Sequence, residues 1–199
     1  MARRAAARAM EGTTVAVQVS GEHPLRGRDA GDACAEIAHR FSRDAAPYIV
    51  RSSVPGHAVS RGTGHGLRPS IEMDISESSF EACWESRHFA APGSLLPACA
   101  ALRPAGEVTL RFSASIDDIY MAPPRIGTGR PAARFPVISF EPESLDPGGL
   151  VVRGVAMQTG PHTARITVFG EAASEMAGMQ RLLERALGAL EAHCREYAS

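Results

Sequence analysis

The chain has 199 residues, of which 44% are hydrophobic, and a formal net charge of −1. That is enough length for one domain or two small ones with a real core, and the charge excludes a chain drawn to a polyanion by its bulk electrostatics. All 21 basic residues are arginine, lysine and asparagine are absent, and Cys34, Cys83, Cys99 and Cys194 are too scattered for a zinc site or disulfide framework.

Free thiols in an intracellular protein, nuclear or cytoplasmic, are therefore expected. No apolar run approaches a membrane span or a signal-peptide core. Residues 1–12 begin MARRAAARAM, which is rich in Arg and Ala and free of acid through residue 10. This stretch reads as a basic flexible tail, with a targeting peptide or a DNA-contacting arm as alternatives.

Residues 13–20, TTVAVQVS, alternate as a strand does. Residues 21–31 are polar and glycine-rich, a loop. Residues 32–45 form a helical pattern with Asp32 near its start and Ala35, Ile37, Ala38 and Phe41 inward. A strand begins at residues 47–50, Val54-Pro55-Gly56 is a turn, residues 58–61 are a strand and residues 62–66 a Gly/His loop. In residues 70–76, SIEMDIS, the positions Ile71, Met73 and Ile75 share one face and read as core. Ser78 or Ser79 caps an expected helix carrying Phe80, Cys83, Trp84 and His88. Pro92-Gly93 breaks it, and a second helical piece runs to Leu102.

The pattern then restarts. VAVQVSG at Val15 matches VTLRFSA at Val108, and VPGHAVSRG at Val54 matches DPGGLVVRG at Asp146. Pro69 falls on Pro161, and SIEMDISES at Ser70 matches the stretch from Ala164. The matched landmarks keep one order at an offset of roughly 92 residues, too long for a solenoid unit. Residues 13–104 and 105–199 therefore read as two copies of one small α/β unit. Where the first copy has its helix, the second has the Pro/Gly-rich residues 122–136, an expected loop. The second copy ends in strands and a long helix whose stripe is Met176, Met179, Leu183, Leu187, Leu190 and Cys194. The expected fold is α+β: a tandem pseudo-twofold repeat forming one curved antiparallel sheet, with long helices on its convex side and the concave side open.

The phrase Phe140-Glu141-Pro142-Glu143-Ser144-Leu145-Asp146-Pro147-Gly148-Gly149-Leu150-Val151-Val152-Arg153 resembles the carboxy-terminal repeat of the TATA-box-binding protein family. That family is itself a tandem repeat folded as a saddle. The resemblance implies a transcription initiation factor that binds and bends duplex DNA through the concave sheet and meets transcription proteins on its convex helices. The family inserts apolar wedges into the minor groove. One wedge position falls at Leu145, another near Met157. Arg153 corresponds to a family arginine that approaches phosphate, and Arg61 is its repeat mate. Val151, Arg111 and Arg165 join them as candidate DNA-contacting residues. The family's central asparagine has no counterpart, its places falling near Thr13 or Thr14 and near Leu110 or Arg111. In the first copy the wedge places fall near Ser53 or Val54 and His65.

Each signal has a blander alternative. Arginine on a strand's outer face is ordinarily solvated, and Leu145 also reads as a buried loop anchor. His57 and His65 lack a third metal ligand, and the loop around them lacks the Lys-Ser/Thr of a phosphate-binding loop. Glu141 and Glu143 want a partner pocket before they read as an acid/base pair. No G-x-S-x-G elbow occurs. No cofactor and no enzymatic activity are expected. Two other functions stay open: the same fold as a protein-interaction module without sequence-specific DNA binding, and a helix-grip ligand-binding domain, which the internal repeat disfavours.

Overall fold

The structure, a computed structural model, describes residues 12–44, 46–53, 59–61, 70–120, 138–139, 143–144, 151–158 and 163–198. Strand β1 (Thr13–Glu22) and helix α1 (Gly27–Phe41) are followed by β2 (Tyr48–Ser52), β3 (Val59–Arg61), β4 (Ser70–Ile75) and β5 (Ser79–Ser86). Helix α2 (Leu95–Ala101) leads to β6 (Glu107–Tyr120), β7 (Ile138–Ser139), β8 (Glu143–Ser144), β9 (Val151–Gln158), β10 (Thr163–Glu175) and helix α3 (Met176–Ala198). The strands form one sheet in the order β3-β2-β4-β5-β1-β6-β10-β9-β7, with β8 also paired to β9. The coarse α+β class holds, and the sheet has one face under helices.

Alternation decides which face that is. Val15, Val17 and Val19 of β1 are buried, as are Leu110, Phe112, Ala114 and Ile116 of β6 and Ile166 and Val168 of β10. Register carries the same face across the sheet: Val17 lies opposite Phe112 on one side and Trp84 on the other. The three described helices cover this face. Helix α3 packs on β6 and β10, α2 on β5, and α1 on β2 and α2. The stripe expected on α3 is buried at Met179, Leu183, Leu187, Leu190 and Cys194, joined by Leu182 and Ala186. Helix α1 inserts Cys34, Ile37 and Phe41. Asp29 in its first turn and Arg40 in its last complement the helix dipole.

Four expectations need correction. The expected loop at residues 21–31 is shorter, because β1 runs to Glu22 and α1 already begins at Gly27, ending at Phe41 rather than at residue 45. Residues 79–86 are a strand, not a helix. Phe80, Cys83 and Trp84 fit helical spacing, but Phe80, Ala82, Trp84 and Ser86 fit period two equally well. A tight turn breaks the tie: the Ser76 amide donates to the Ser79 carbonyl at 2.8 Å, and the Ser76 hydroxyl accepts from the Ser79 amide at 3.1 Å. The chain folds back on β4 as a hairpin and pairs again with β1.

The sheet is also mixed rather than wholly antiparallel, because β2 and β4 run parallel. After β2 the chain reverses into β3 on the outer edge, then reverses again and enters β4 on β2's inner side. Two reversals leave β2 and β4 pointing the same way. The first half, finally, ends in the seven-residue α2 and not in a long helix. The expected loop at 122–136 lies outside the described residues.

Candidate nucleic-acid or protein interface on the open sheet face

Among the described residues no helix lies on the opposite face of the sheet. Its central strip is small and polar: Thr14, Ala16 and Gln18 of β1 beside Arg111, Ser113 and Ser115 of β6. Ser115 and Thr167 hydroxyls meet at 3.0 Å across β6 and β10. Phe169 stands among them, a large hydrophobic side chain 37% exposed. It lies opposite Ser113 and helps line an open depression of about 640 Å³ with Ala16, Gln18, Arg111 and Glu171.

Charge on this face is uneven. Its described carboxylates include Glu72 and Asp74 on β4, Glu81 and Glu85 on β5, Asp117 on β6 and Glu171 on β10. Against them stand Arg51, Arg111 and Arg165, and each guanidinium is held by a carboxylate of a neighbouring strand. Arg111 Nε donates to Glu171 Oε2 at 2.8 Å. Arg165 Nε donates to Asp117 Oδ1. Arg51 Nη1 reaches Asp74 Oδ1 at 3.3 Å and Glu72 Oε2 at 3.4 Å. The hydrogen bond to Glu171, then the charge of Glu171, raises the Arg111 pKa. These exposed pairs add little stability, but they neutralise the arginines. A polyanion meeting this face finds these three guanidinium groups already paired and several carboxylates beside them.

The Cys83 thiol sits within this acidic cluster. Burial, followed by the charge of Glu81 and its hydrogen bond, pushes its pKa up to about 12, with Glu72 and Asp74 contributing. The thiol therefore stays protonated at neutral pH and is a poor nucleophile. Iodoacetamide at pH 8 should modify Cys83 at least about 100-fold more slowly in the folded chain than in urea, since only the thiolate reacts. Equal rates by mass spectrometry would show that the surrounding carboxylates and packing do not act on it. Among the described residues no cluster of His, Cys, Asp and Glu is arranged to hold a metal ion.

The candidate DNA-contacting residues are only partly brought together. Arg111 and Arg165 project from the open face, six residues apart along the register. The backbone of β9 places Arg153 opposite Phe169, Val151 opposite Glu171 and Met157 opposite Arg165. Those three side chains lie outside the described residues, as does Leu145 altogether. Arg61 is on β3 at the far edge of the sheet, its backbone paired with Tyr48, and its side chain also lies outside the described residues. The features that the residue pattern did not reveal are Phe169 and the carboxylates of β4 and β5. The Glu-x-Asp and Glu-x-x-x-Glu spacings of IEMDI and FEACWES were the available signal, but the second was hidden by the helical reading.

The chain matches no known family model, no curated protein and no solved structure. Among the described residues no helix is long and apolar enough to cross a membrane.

Proposed function

We propose that the chain is a divergent TATA-binding-protein-like saddle that works as a protein-interaction module, with its open sheet face as the docking surface. The observation that carries this reading is the charge of that face: a majority of carboxylates among its described charged groups on the strands, with Arg51, Arg111 and Arg165 each tied to one of them. A minor-groove saddle needs the opposite arrangement, an apolar strip rimmed by arginines free to meet phosphate.

Strand order supports the saddle and the repeat. β1 and β6, the first strands of the two halves, are antiparallel neighbours at the centre. Each is flanked on its outer side by the strand that leads into the last helix of its own half, β5 before α2 and β10 before α3. Under this reading β5 is the mate of β10. The match of residues 70–78 to the stretch from Ala164 instead pairs β4 with β10.

The acidic face favours a basic partner segment, and the exposed Phe169 offers it an apolar foothold. Fluorescence anisotropy at low salt tests this with two probes, an arginine-rich peptide of about twelve residues and an A·T-rich duplex of about 20 base pairs. The peptide should bind. Glu81→Gln with Glu85→Gln should weaken it about tenfold, and added salt should weaken it further. The duplex should not bind. Salt-dependent duplex binding that is lost in Arg153→Ala with Leu145→Ala would overturn the reading and restore the DNA-binding one.

A further inference from the structure

The open face is complementary to itself. Strand β6 runs along its middle, with β1 on one side and β10 on the other. Four successive rows of register cross these three strands on the open side: Thr14–Ser115–Thr167, Ala16–Ser113–Phe169, Gln18–Arg111–Glu171 and Ser20–Thr109–Ala173. In the second row a small side chain and a large one stand one strand to either side of Ser113. Phe169 is the exposed large hydrophobic among the described residues, and the depression of about 640 Å³ beside it has Ala16 and Gln18 in its lining. A projection and a hollow lie next to each other on one surface, which is what a twofold contact between identical chains requires.

We propose that this face binds a second copy of the chain, with the two sheets stacked about a twofold axis that runs along β6 over Ser113. The proposal rests on the reading of the face as an interaction surface, and it names the partner that covers the face when no basic segment does.

Rotation about that axis exchanges the β1 and β10 positions within each row. Phe169 of each copy lands over Ala16 of the other, so both projections enter hollows. Glu171 lands over the other copy's Gln18, whose amide donates to carboxylates. The rows of Thr14 and Ser20 bring only short side chains together, which lets the sheets approach to the ordinary spacing of about 10 Å. Two sheets of the same twist keep that spacing when their strands are nearly aligned.

Charge fits the same axis. Arg111 lies on it and meets its own counterpart, but each brings Glu171, to which it donates at 2.8 Å, and each also feels the charge of Glu81. Glu72, Asp74 and Glu81 stand on β4 and β5, on the β1 side of β6. Rotation carries them over the β10 side of the other copy and away from their own mates. Four rows and the five strands from β5 to β9 span roughly 20 by 24 Å. That is below the ~800 Å² per partner of a standard interface, so the dissociation constant should be on the order of 10 μM.

Sedimentation velocity on the full chain reads the result. From about 1 μM to about 200 μM, which brackets that constant, the mass should rise from one chain toward two. Phe169→Ala sets hollow against hollow, and Ala16→Phe sets projection against projection. Each should weaken association at least about tenfold. Ala16→Phe/Phe169→Ala moves the projection to β1 and the hollow to β10, positions that the axis interchanges. The double variant should therefore dimerise within about threefold of the wild type, a non-additive outcome. Gln18→Glu, which opposes a carboxylate to Glu171 of the other copy, should weaken association about tenfold, and more at low salt. Circular dichroism melts confirm that each variant is folded, and Phe169→Ala changes only an exposed position.

Undiminished association in Phe169→Ala would overturn the proposal, by placing the contact elsewhere. A folded double variant that stays monomeric would overturn the axis. If the wild type stays monomeric up to about 200 μM while the arginine-rich peptide binds, the dimer proposal fails alone. If neither a second copy nor the peptide engages the face, the interaction reading fails with it.

Discussion

Phe41→Ala should destabilise the chain by about 3–5 kcal/mol, the cost of a large-to-small change at a fully buried aromatic. Phe41 is 0% exposed at the last turn of α1. Its ring meets Tyr48 at the start of β2, with centroids 5.9 Å apart and planes at 48°. That tilted contact adds to the burial energy, and it ties α1 to the outer half of the sheet. Phe41→Leu keeps most of the volume and should cost less than half as much. Denaturant melts followed by tryptophan emission give the readout, because Trp84 is the single tryptophan, 3% exposed on β5, two strands from β2. If α1 and the sheet form one cooperative unit, the Trp84 transition moves to lower denaturant with the variant. A wild-type Trp84 transition beside a lost helical signal would show that α1 unfolds apart from the sheet.

The residues made some of this architecture legible and concealed the rest for physical reasons. Strands β1 and β4 and helix α3 each bury one side of a regular pattern, so period alone identifies them. The stretch from Phe80 to Ser86 satisfies two periods at once. Its choice was made by the Ser76–Ser79 turn and by pairing with Val15 to Glu22, neither of which is local to the window. The parallel β2–β4 pair follows from the path of β3, which no window of sequence encodes. The candidate site was harder still. Net charge near zero suggests no preference for basic or acidic partners, yet the described carboxylates of the open face outnumber its arginines. That asymmetry appears only once register decides which charges share a side. Arg111 and Arg165 were placed on the open face by alternation, but their partners Glu171 and Asp117 come from adjacent strands and were invisible as partners in the linear chain.

Val17→Asp and Gln18→Asp should have opposite outcomes, and together they test the assignment of the two faces. Val17 is 1% exposed at the centre of the sheet, between Trp84 and Phe112 and beneath the helix layer. A carboxylate there has no described basic group beside it. Burying it ionised costs several kcal/mol, and protonating it instead leaves an unpaired polar group and a disturbed core. Since domains of this size have only about 5–15 kcal/mol of stability, Val17→Asp should leave the chain largely unfolded at neutral pH. Partial recovery at lower pH is expected, because the folded state raises the pKa of the new carboxyl, and its cost shrinks as it becomes protonated. Gln18 is the next residue and points the other way, opposite Arg111 and Cys83. Aspartate there enters solvent beside a guanidinium, so stability should change by less than about 1 kcal/mol. Circular dichroism melts of the pair separate the cases. Equal loss in both variants would mean that the Gln18 side is covered as well, and that the face proposed for docking is not open.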